Sequence, residues 1–198
     1  MLDEKKRFRS EFKAIRRVYA EAERRGLSLM IARNATALPE YGSAWRVMLF
    51  DGLADEADTT FLLDEIIESG REAYLPRMIG PNEMEAALYD GETGSRESEY
   101  GFREPIGKRV ARLSEIDLIF APGLAFDMKG NRMGRGLGCY DKFLAGFSGS
   151  IGALAYESQI VSAIPADDRD VPMDFIVTES RVIRRAAHCR RWGDEGDG

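Results

Sequence analysis

Apolar residues near the amino end of the chain recur at helical spacing. Five of them follow one another at steps of three and four: Phe8, Phe12, Ile15, Tyr19 and Ala22. This spacing places them on one side of a helix. Asp3 is a suitable N-cap residue and Gly26 a suitable stop. The pattern therefore predicts one helix from Asp3 to about Arg25.

Three basic residues of this predicted helix, Lys5, Arg9 and Arg16, fall beside the apolar stripe rather than opposite it. Long cationic side chains of a surface helix ordinarily form a solvated face. At the edge of a core they could instead bind an anion. The residues alone leave both interpretations open.

Strand-like and helix-like patterns alternate along the rest of the chain. The predicted strands are residues 44–52, 71–76 (ended by Pro76), 117–121, 150–156 and a strand pair around 178–180. Residues 57–69 form a helical pattern closed by Gly70, a further helix is expected over 140–147, and residues 82–91 fit either element. This alternation predicts a single three-layer α/β/α domain with a mostly parallel central sheet. We expect the domain to span 1–190 and the Gly- and Asp-rich tail, 191–198, to be disordered.

Composition narrows the functional classes. The chain has 198 residues, 44% of them hydrophobic and 31% charged, with a net charge of −6. The negative charge does not favour nucleic acid, no apolar run reaches the length of a membrane span, and no protein partner is indicated. The two cysteines, Cys139 and Cys189, form no CxxC pair, so a reducing cytoplasm is expected. The single histidine, His188, excludes a histidine-based triad and a multi-histidine zinc site.

The stretch NRMGRGLGCYDK (131–142) concentrates the candidate chemistry. Gly134, Gly136 and Gly138 alternate, so backbone N–H groups there can line a concave anion site. Three cations accompany them: Arg132, Arg135 and Lys142. Asp141 is the one carboxylate of the stretch, and beside phosphates it would hold Mg²⁺. The spacing matches neither a P-loop nor a dinucleotide fingerprint. Glycine content alone leaves phosphate binding and a plain flexible turn equally open.

Other candidates lie outside this stretch. An acidic run contains Asp167, Asp168, Asp170 and Asp174. Such a run is usually solvated, but it could give a metal a second carboxylate. Glu56 lies between a predicted strand and a predicted helix, where α/β sheets place ligand contacts, although a first-turn glutamate also suits a helix dipole.

Aromatic residues and a thiol complete the candidates. Tyr100, Phe102 and Tyr140 could stack on a flat heterocycle or belong to the core. Cys139 fits a small packing residue better than a reactive thiol, since no histidine or second cysteine stands near it in the sequence.

Taken together, these segments resemble the 5-formyltetrahydrofolate cyclo-ligase family. The resemblance runs in order from Lys5 to about Ile183. Its segments are KKRFRSEFKAIRR, ADEADT, EAYLPR, YGFREP, DLIFAPGLAFD with GNRMGRGLGCYDKFL, and YESQIVSAIPADDRDVPMDFIVTE. It implies a three-layer α/β/α fold. It also implies an enzyme that converts 5-formyltetrahydrofolate to 5,10-methenyltetrahydrofolate with ATP and Mg²⁺.

The resemblance also implies roles for individual residues. The residues expected at ATP are Lys5, Arg9, Arg132, Gly134, Arg135, Gly136, Gly138, Tyr140 and Asp141. Arg132 and Tyr140 are expected to be catalytic, and Asp141 with Asp174 to hold Mg²⁺, with Asp170 nearby. The folate is expected at Glu56, Phe102 and Tyr140.

The chain departs from the family pattern at Cys139, where an aromatic residue is common. The missing ring would lie where folate and ATP meet. Two alternatives therefore stand beside cyclo-ligase activity. One is a paralogue acting on another formylated compound, and the other is a non-catalytic binder of folate or nucleotide.

Overall fold

The computed structural model describes residues 2–15, 19–92 and 94–186. Their helices are α1 (Leu2–Ile15), α2 (Glu21–Thr36), α3 (Pro39–Ser43), α4 (Thr60–Glu68) and α5 (Cys139–Leu144). The strands are β1 (Arg46–Met48), β2 (Glu72–Gly80), β3 (Glu83–Tyr89), β4 (Ser95–Glu97), β5 (Arg103–Pro105), β6 (Val110–Ala111), β7 (Leu118–Ala121), β8 (Ala125–Asp127), β9 (Arg132–Met133), β10 (Ser150–Leu154), β11 (Ile160–Val161), β12 (Phe175–Val177) and β13 (Val182–Arg184).

The main sheet has the strand order β13-β12-β10-β7-β1-β2-β3-β6. The five inner strands, from β12 to β2, run parallel to one another. β13, β3 and β6 pair antiparallel at the two edges. All four residues of β7, at the centre, are buried. A strand buried on both faces reads as a continuous apolar run, which is why its sequence is LIFA.

Alternate side chains of the inner strands supply a core on each face of this sheet. Val47 and Leu49 belong to the core that α2, α3 and α4 cover, whereas Met48 belongs to the opposite core, with Leu144 of α5. The predicted α/β class with a mostly parallel central sheet is confirmed.

A second sheet, in the order β11-β8-β9, lies beside the main one. Helix α1 packs on it through Phe12, which shares a small core with Leu124, Ala125 and Met133. Asp127 ends β8 and is almost fully buried, and its carboxylate accepts the backbone N–H groups of Lys129, Asn131 and Ile164 at 2.9, 3.0 and 3.0 Å. This carboxylate fixes the turn that leads into the glycine-rich stretch.

The single helix predicted from Asp3 to Arg25 is wrong. α1 ends at Ile15, and α2 begins at Glu21 and contains Gly26 in its interior. Asp3 lies within α1, not before it. Phe12 is buried in the small core under α1, whereas Tyr19 belongs to the core that α2, α3 and α4 cover. The residues of the predicted apolar stripe therefore pack in two separate cores. Arg16 lies outside the described residues.

The expected end of a strand at Pro76 is also wrong, because β2 continues to Gly80. Pro76 pairs with Ala86 of β3, whereas β1 pairs with β2 only as far as Tyr74. A proline can remain in a strand where no second neighbour needs its missing N–H. The ambiguous stretch 82–91 contains strand β3.

Within the described residues, no helix combines the length and the apolar character that crossing a bilayer requires. The predicted tail, 191–198, with His188 and Cys189, lies outside them.

Candidate functional site

A cavity of about 830 Å³ opens beyond the carboxyl ends of the parallel strands. Phe50 and Asp51, which follow β1, and Pro122 and Gly123, which follow β7, form part of its wall. Ligands of open α/β sheets bind at this edge because the loops after neighbouring strands meet there. Eleven of the predicted site residues line the cavity: Lys5, Arg9, Glu56, Phe102, Arg132, Gly134, Arg135, Gly136, Gly138, Tyr140 and Asp141.

Arg132 and Asp141 form an ion pair in the cavity wall. Arg132 Nη2 donates to Asp141 Oδ1 at 2.8 Å, and the arginine side chain is only 4% exposed. Asp141 Oδ1 also accepts the N–H of Val171 at 3.3 Å. Both hydrogen bonds that the described residues make to this carboxylate fall on Oδ1, so Oδ2 is available to a cation.

The glycines between them adopt conformations that other residues avoid. Gly136 and Gly138 have φ angles of +109° and +71°. The Arg9 guanidinium covers Gly136, where a β-carbon would stand 3.3 Å from Nη1. Gly138 precedes α5, which has only six residues rather than the expected run over 140–147. The backbone curl and its arginines, more than a helix dipole, therefore define this wall.

Arg135 reaches across the cavity to the loop after β1. Its guanidinium bonds Glu56 Oε1 and Asp55 Oδ1, both at 3.0 Å. Glu56 is 5% exposed, and its other oxygen accepts the N–H of Leu53 at 3.2 Å. Burial is the largest single influence on the pKa of Arg135 and would lower it, but the charges of Glu56 and Asp55 and the hydrogen bonds to them together outweigh burial, so the pKa is raised.

Lys5 of α1 is held by the acidic run. Its Nζ donates to Asp167 Oδ2 at 3.0 Å and also to Asp170, and the residue is buried. Burial would lower the pKa of Lys5, but hydrogen bonds to Asp170 and Asp167 outweigh it, and the pKa is raised. The hydrogen bond from Lys5 lowers the pKa of Asp167. The acidic run is therefore not simply solvated, since two of its members neutralise a buried ammonium.

Three buried polar atoms have no hydrogen-bond partner among the described residues: Arg9 Nε, Arg132 Nε and Tyr140 Oη. All three side chains line the cavity. Buried donors without partners cost free energy, and a ligand that accepts hydrogen bonds would remove that cost. Burial first, and then the charge of Glu56, raises the pKa of Tyr140. The Tyr140 hydroxyl therefore stays protonated and able to donate.

Two aromatic side chains, Tyr100 and Phe102, also line the cavity. The rings of Tyr100 and Phe102 are parallel within 11°, with centroids 6.2 Å apart. They are carried by the hairpin of β4 and β5. A flat, partly exposed pair of this kind suits a heterocyclic ring.

Cys139 also lines the cavity and is a free, half-buried thiol. Burial raises its pKa, so the neutral form is favoured. Its Sγ lies 4.0 Å from Asn82 Oδ1.

Asp174 is not brought to the cavity. Its carboxylate accepts the N–H of Ile151 at 2.9 Å, between β12 and β10 of the main sheet. Asp170, from the same acidic run, does line the cavity. The geometry therefore does not support Asp174 as the partner of Asp141 at a metal. Throughout the described part of the chain, no group of three or more histidine, cysteine, aspartate or glutamate side chains is arranged to hold a metal ion.

Two cavity features were missed from the sequence. Asp51 belongs to the wall and is bonded to Arg103 of β5. The pairing of Lys5 with Asp167 joins residues 162 positions apart. Neither leaves a local signal, because an isolated aspartate or arginine in a loop is ordinarily solvated.

A model of the 5-formyltetrahydrofolate cyclo-ligase family matches residues 2–179. The chain belongs to this family. The predicted family and enzyme class are therefore confirmed.

Relatives within the family span almost the whole chain. The chain is 29% identical to the 5-formyltetrahydrofolate cyclo-ligase of Mus musculus, over 88% of this chain and 93% of that protein. It is 29% identical to the enzyme of the same name from Haemophilus influenzae, over 87% and 97%. It also resembles the solution structure of Aquifex aeolicus 5,10-methenyltetrahydrofolate synthetase, with 31% identity, a TM-score of 0.81 and coverage of 98% and 100%.

Proposed function

We propose that this family member converts 5-formyltetrahydrofolate to 5,10-methenyltetrahydrofolate with ATP and Mg²⁺, and releases ADP and phosphate. The observation that carries the proposal is the gathering of eleven predicted site residues, from α1, the loop after β1, the β4–β5 hairpin and the glycine-rich stretch, around one cavity. A reduced folate and ATP are the only partners proposed, and a cytoplasmic location belongs to the same proposal.

The nucleotide is proposed to lie against the glycine-rich stretch. Arg9 and Arg132 each have a buried Nε without a partner among the described residues, so both can donate to phosphate oxygens. The Gly136 backbone, bent at a φ of +109°, supports this anion site. Lys5 joins by exchanging Asp167 and Asp170 for phosphate, since all three are acceptors for the same ammonium.

The metal is proposed to bind between Asp141 and Asp170, in place of the Asp141–Asp174 pair expected from the sequence. The donor set fits Mg²⁺, which takes one or two protein carboxylates together with nucleotide oxygens and water. Asp141 has Oδ2 available, and Asp170 becomes available when Lys5 turns to phosphate. Mg²⁺ there supplies positive charge that balances the phosphate oxygens.

The folate is proposed to lie between Glu56 and the aromatic pair. The buried Glu56 carboxylate can accept hydrogen bonds from ring N–H groups, while Phe102 packs on the ring face. Tyr140 lies between this half and the nucleotide half, and its protonated hydroxyl donates to an oxygen at the junction.

The chemistry follows from this alignment. A formyl oxygen is a poor leaving group, so the γ-phosphoryl group of ATP is transferred to it. N10 of the folate then attacks the formyl carbon and closes the new ring, the bond from that carbon to the phosphorylated oxygen breaks, and the N10 proton leaves with the departing phosphate. Arg132 balances the charge that spreads over the phosphoryl oxygens, and the cavity holds the formyl oxygen in line with the phosphorus.

A coupled assay tests the proposal. The purified protein is mixed with Mg²⁺, ATP and 5-formyltetrahydrofolate, and methenyl-folate absorbance and ADP are followed together. Equal amounts of both products, absent without Mg²⁺, are expected. ADP formation or nucleotide binding without the methenyl product would point to a paralogue with another formylated substrate. Ligand binding without turnover would point to a binder.

A matched pair of variants tests the metal assignment. Asp170→Asn is expected to raise the Mg²⁺ concentration required for half-maximal activity. Asp174→Asn, whose carboxylate bonds Ile151 in the main sheet, is expected to leave that concentration unchanged and to lower thermal stability. The reverse result would restore the Asp141–Asp174 assignment.

A further inference from the structure

Asp51 and Arg103 form an ion pair that joins two walls of the cavity. Arg103 donates three hydrogen bonds to the one carboxylate, from its backbone N–H at 2.7 Å, from Nε at 3.1 Å and from Nη2 at 2.8 Å. The Asp51 side chain is 14% exposed and the Arg103 side chain 51%. A carboxylate that accepts a forked guanidinium and a backbone N–H together fixes direction as well as distance.

The two residues belong to different segments of the site. Asp51 follows β1 and begins the loop that ends at Glu56, whereas Arg103 follows Phe102 in the β4–β5 hairpin. The backbone N–H bonded to Asp51 belongs to the peptide unit directly after Phe102. The ion pair therefore fixes the backbone that carries this ring.

The hairpin has few other attachments near its tip. All three residues of β4 are exposed. The tip is closed on itself, because the Ser98 N–H donates to the Phe102 carbonyl, and the N–H groups of Gly101 and Phe102 donate back to Ser98. Gly101 of this turn faces Leu53 of the loop after β1, where an added β-carbon would make only an ordinary van der Waals contact, at 3.7 Å from Leu53 Cδ2.

We propose that Asp51 and Arg103 are positioning residues for the folate half of the site. The pair holds the parallel rings of Tyr100 and Phe102 at a fixed distance from Glu56, and so sets the affinity for the flat ring of the substrate. Neither residue takes part in phosphoryl transfer. The inference rests on the proposed function for the identity of the ring. The ion pair between Asp51 and Arg103, which we call the clamp, does not depend on that function.

Arg103→Ala is the first test. The KM for 5-formyltetrahydrofolate is expected to rise about fivefold, in line with the loss of a well-formed, partly exposed ion pair. The kcat and the KM for ATP are expected to stay unchanged, because the nucleotide wall is intact. A purely structural role would instead lower thermal stability and leave the KM for folate unchanged.

Arg184→Ala is the matched control. Arg184 is also 51% exposed and forms a two-pronged ion pair, with Glu40, away from the cavity. It should change neither KM. Asp51→Asn keeps an oxygen for the Arg103 backbone N–H but loses the charge, so a partial rise in the KM for folate is expected. In the double variant Asp51→Ala/Arg103→Ala the effects should be less than additive, since both remove the same clamp.

Amide hydrogen exchange separates failure of this proposal from failure of the proposed function. Exchange at residues 98–102 should become faster in Arg103→Ala and stay unchanged in Arg184→Ala, whether or not any substrate is present. If the wild type forms no methenyl-folate, the proposed function fails, and exchange still decides whether the clamp exists. Unchanged exchange, or an unchanged KM for folate in an active enzyme, would overturn the positioning role.

Discussion

The Arg9 guanidinium lies directly over Gly136, so close that a β-carbon on this glycine would stand 3.3 Å from Nη1. A residue of α1 thus covers the backbone of a loop more than a hundred positions further along the chain. The contact depends on the absence of a side chain at Gly136 and on its φ of +109°.

Gly136→Ala should damage both features. The backbone conformation is costly for any residue with a β-carbon, so we expect stability to fall by about 1–3 kcal/mol. Displacement of Arg9 should also weaken ATP binding, measured by calorimetry. Gly26→Ala is the control, because Gly26 lies inside α2 with no atom within 4 Å of the added carbon. It should raise stability by about 0.5–1 kcal/mol and leave ATP binding unchanged. Equal behaviour of the two variants would contradict the account of this loop.

Asp141→Asn should lose turnover far more than stability. The asparagine keeps an oxygen for Arg132 and Val171, but it would give the proposed Mg²⁺ a neutral ligand. We expect kcat to fall about 100-fold or more, as when one charge-balancing group is removed from a transition state. Thermal unfolding and steady-state kinetics on the same preparation check this.

Asp127→Asn, in contrast to Asp141→Asn, should lower stability more than turnover. Its almost fully buried carboxylate accepts several N–H groups of a turn, and an amide presents its own donors to some of them. We expect a loss of about 1–3 kcal/mol in unfolding free energy. At a temperature where both variants are folded, its turnover should exceed that of Asp141→Asn. An unfolded Asp141→Asn with normal ATP affinity would show that Asp141 serves the fold instead.

Cys139→Tyr tests the departure from the family pattern. The added ring provides stacking surface at the junction of the two ligand halves, so folate turnover should be preserved or improved and ATP binding unchanged. Cys139→Ser matches the thiol in size, and it should have little effect because the raised pKa keeps the thiol neutral. A collapse of activity in the tyrosine variant alone would make small volume a requirement, and a collapse in both would implicate the sulfur.

The free energy of unfolding should depend on pH through Glu72, a residue that does not line the cavity. Burial would raise its pKa, but hydrogen bonds from Arg46, Tyr74 and Arg109 outweigh it and lower the pKa below the usual 4.5. A group with a lowered folded-state pKa stabilises the fold above its unfolded-state pKa and loses that contribution as the pH falls through the folded-state value. Glu72→Gln should therefore be less stable than the wild type at pH 7, and the difference should shrink below about pH 4.5. A difference that stays constant down to about pH 2 in denaturant titrations would contradict this assignment.

The sequence predicted those parts of the fold that local patterns specify. The helical period of α4, the all-apolar strand β7 and the strand pair β12–β13 each carry a signal within a few residues. The glycine-rich stretch was recognisable as a candidate, but its glycines alone fitted a flexible turn equally well. The assignment of the family then linked them to Lys5, Arg9 and Glu56.

The features that the sequence did not predict depend on tertiary contacts. No glycine or proline separates Ile15 from Glu21, so nothing local indicates that α1 and α2 pack on different cores. Within the acidic run, the four aspartates look alike. They are distinguished by the pairing of β12 with β10, which places the Asp174 carboxylate against the N–H of Ile151, whereas Asp170 lines the cavity.

The contact between Lys5 and Asp170 spans 165 positions. During synthesis the helix that carries Lys5 emerges first, and its acidic partners emerge after most of the chain has been made. Chains fold as they leave the ribosome, and contacts between distant positions form late. The part of the cavity wall that contains Lys5 and the acidic run is consequently among the last parts to be completed, and a chain that stops short of the acidic run would expose a lysine without its partners.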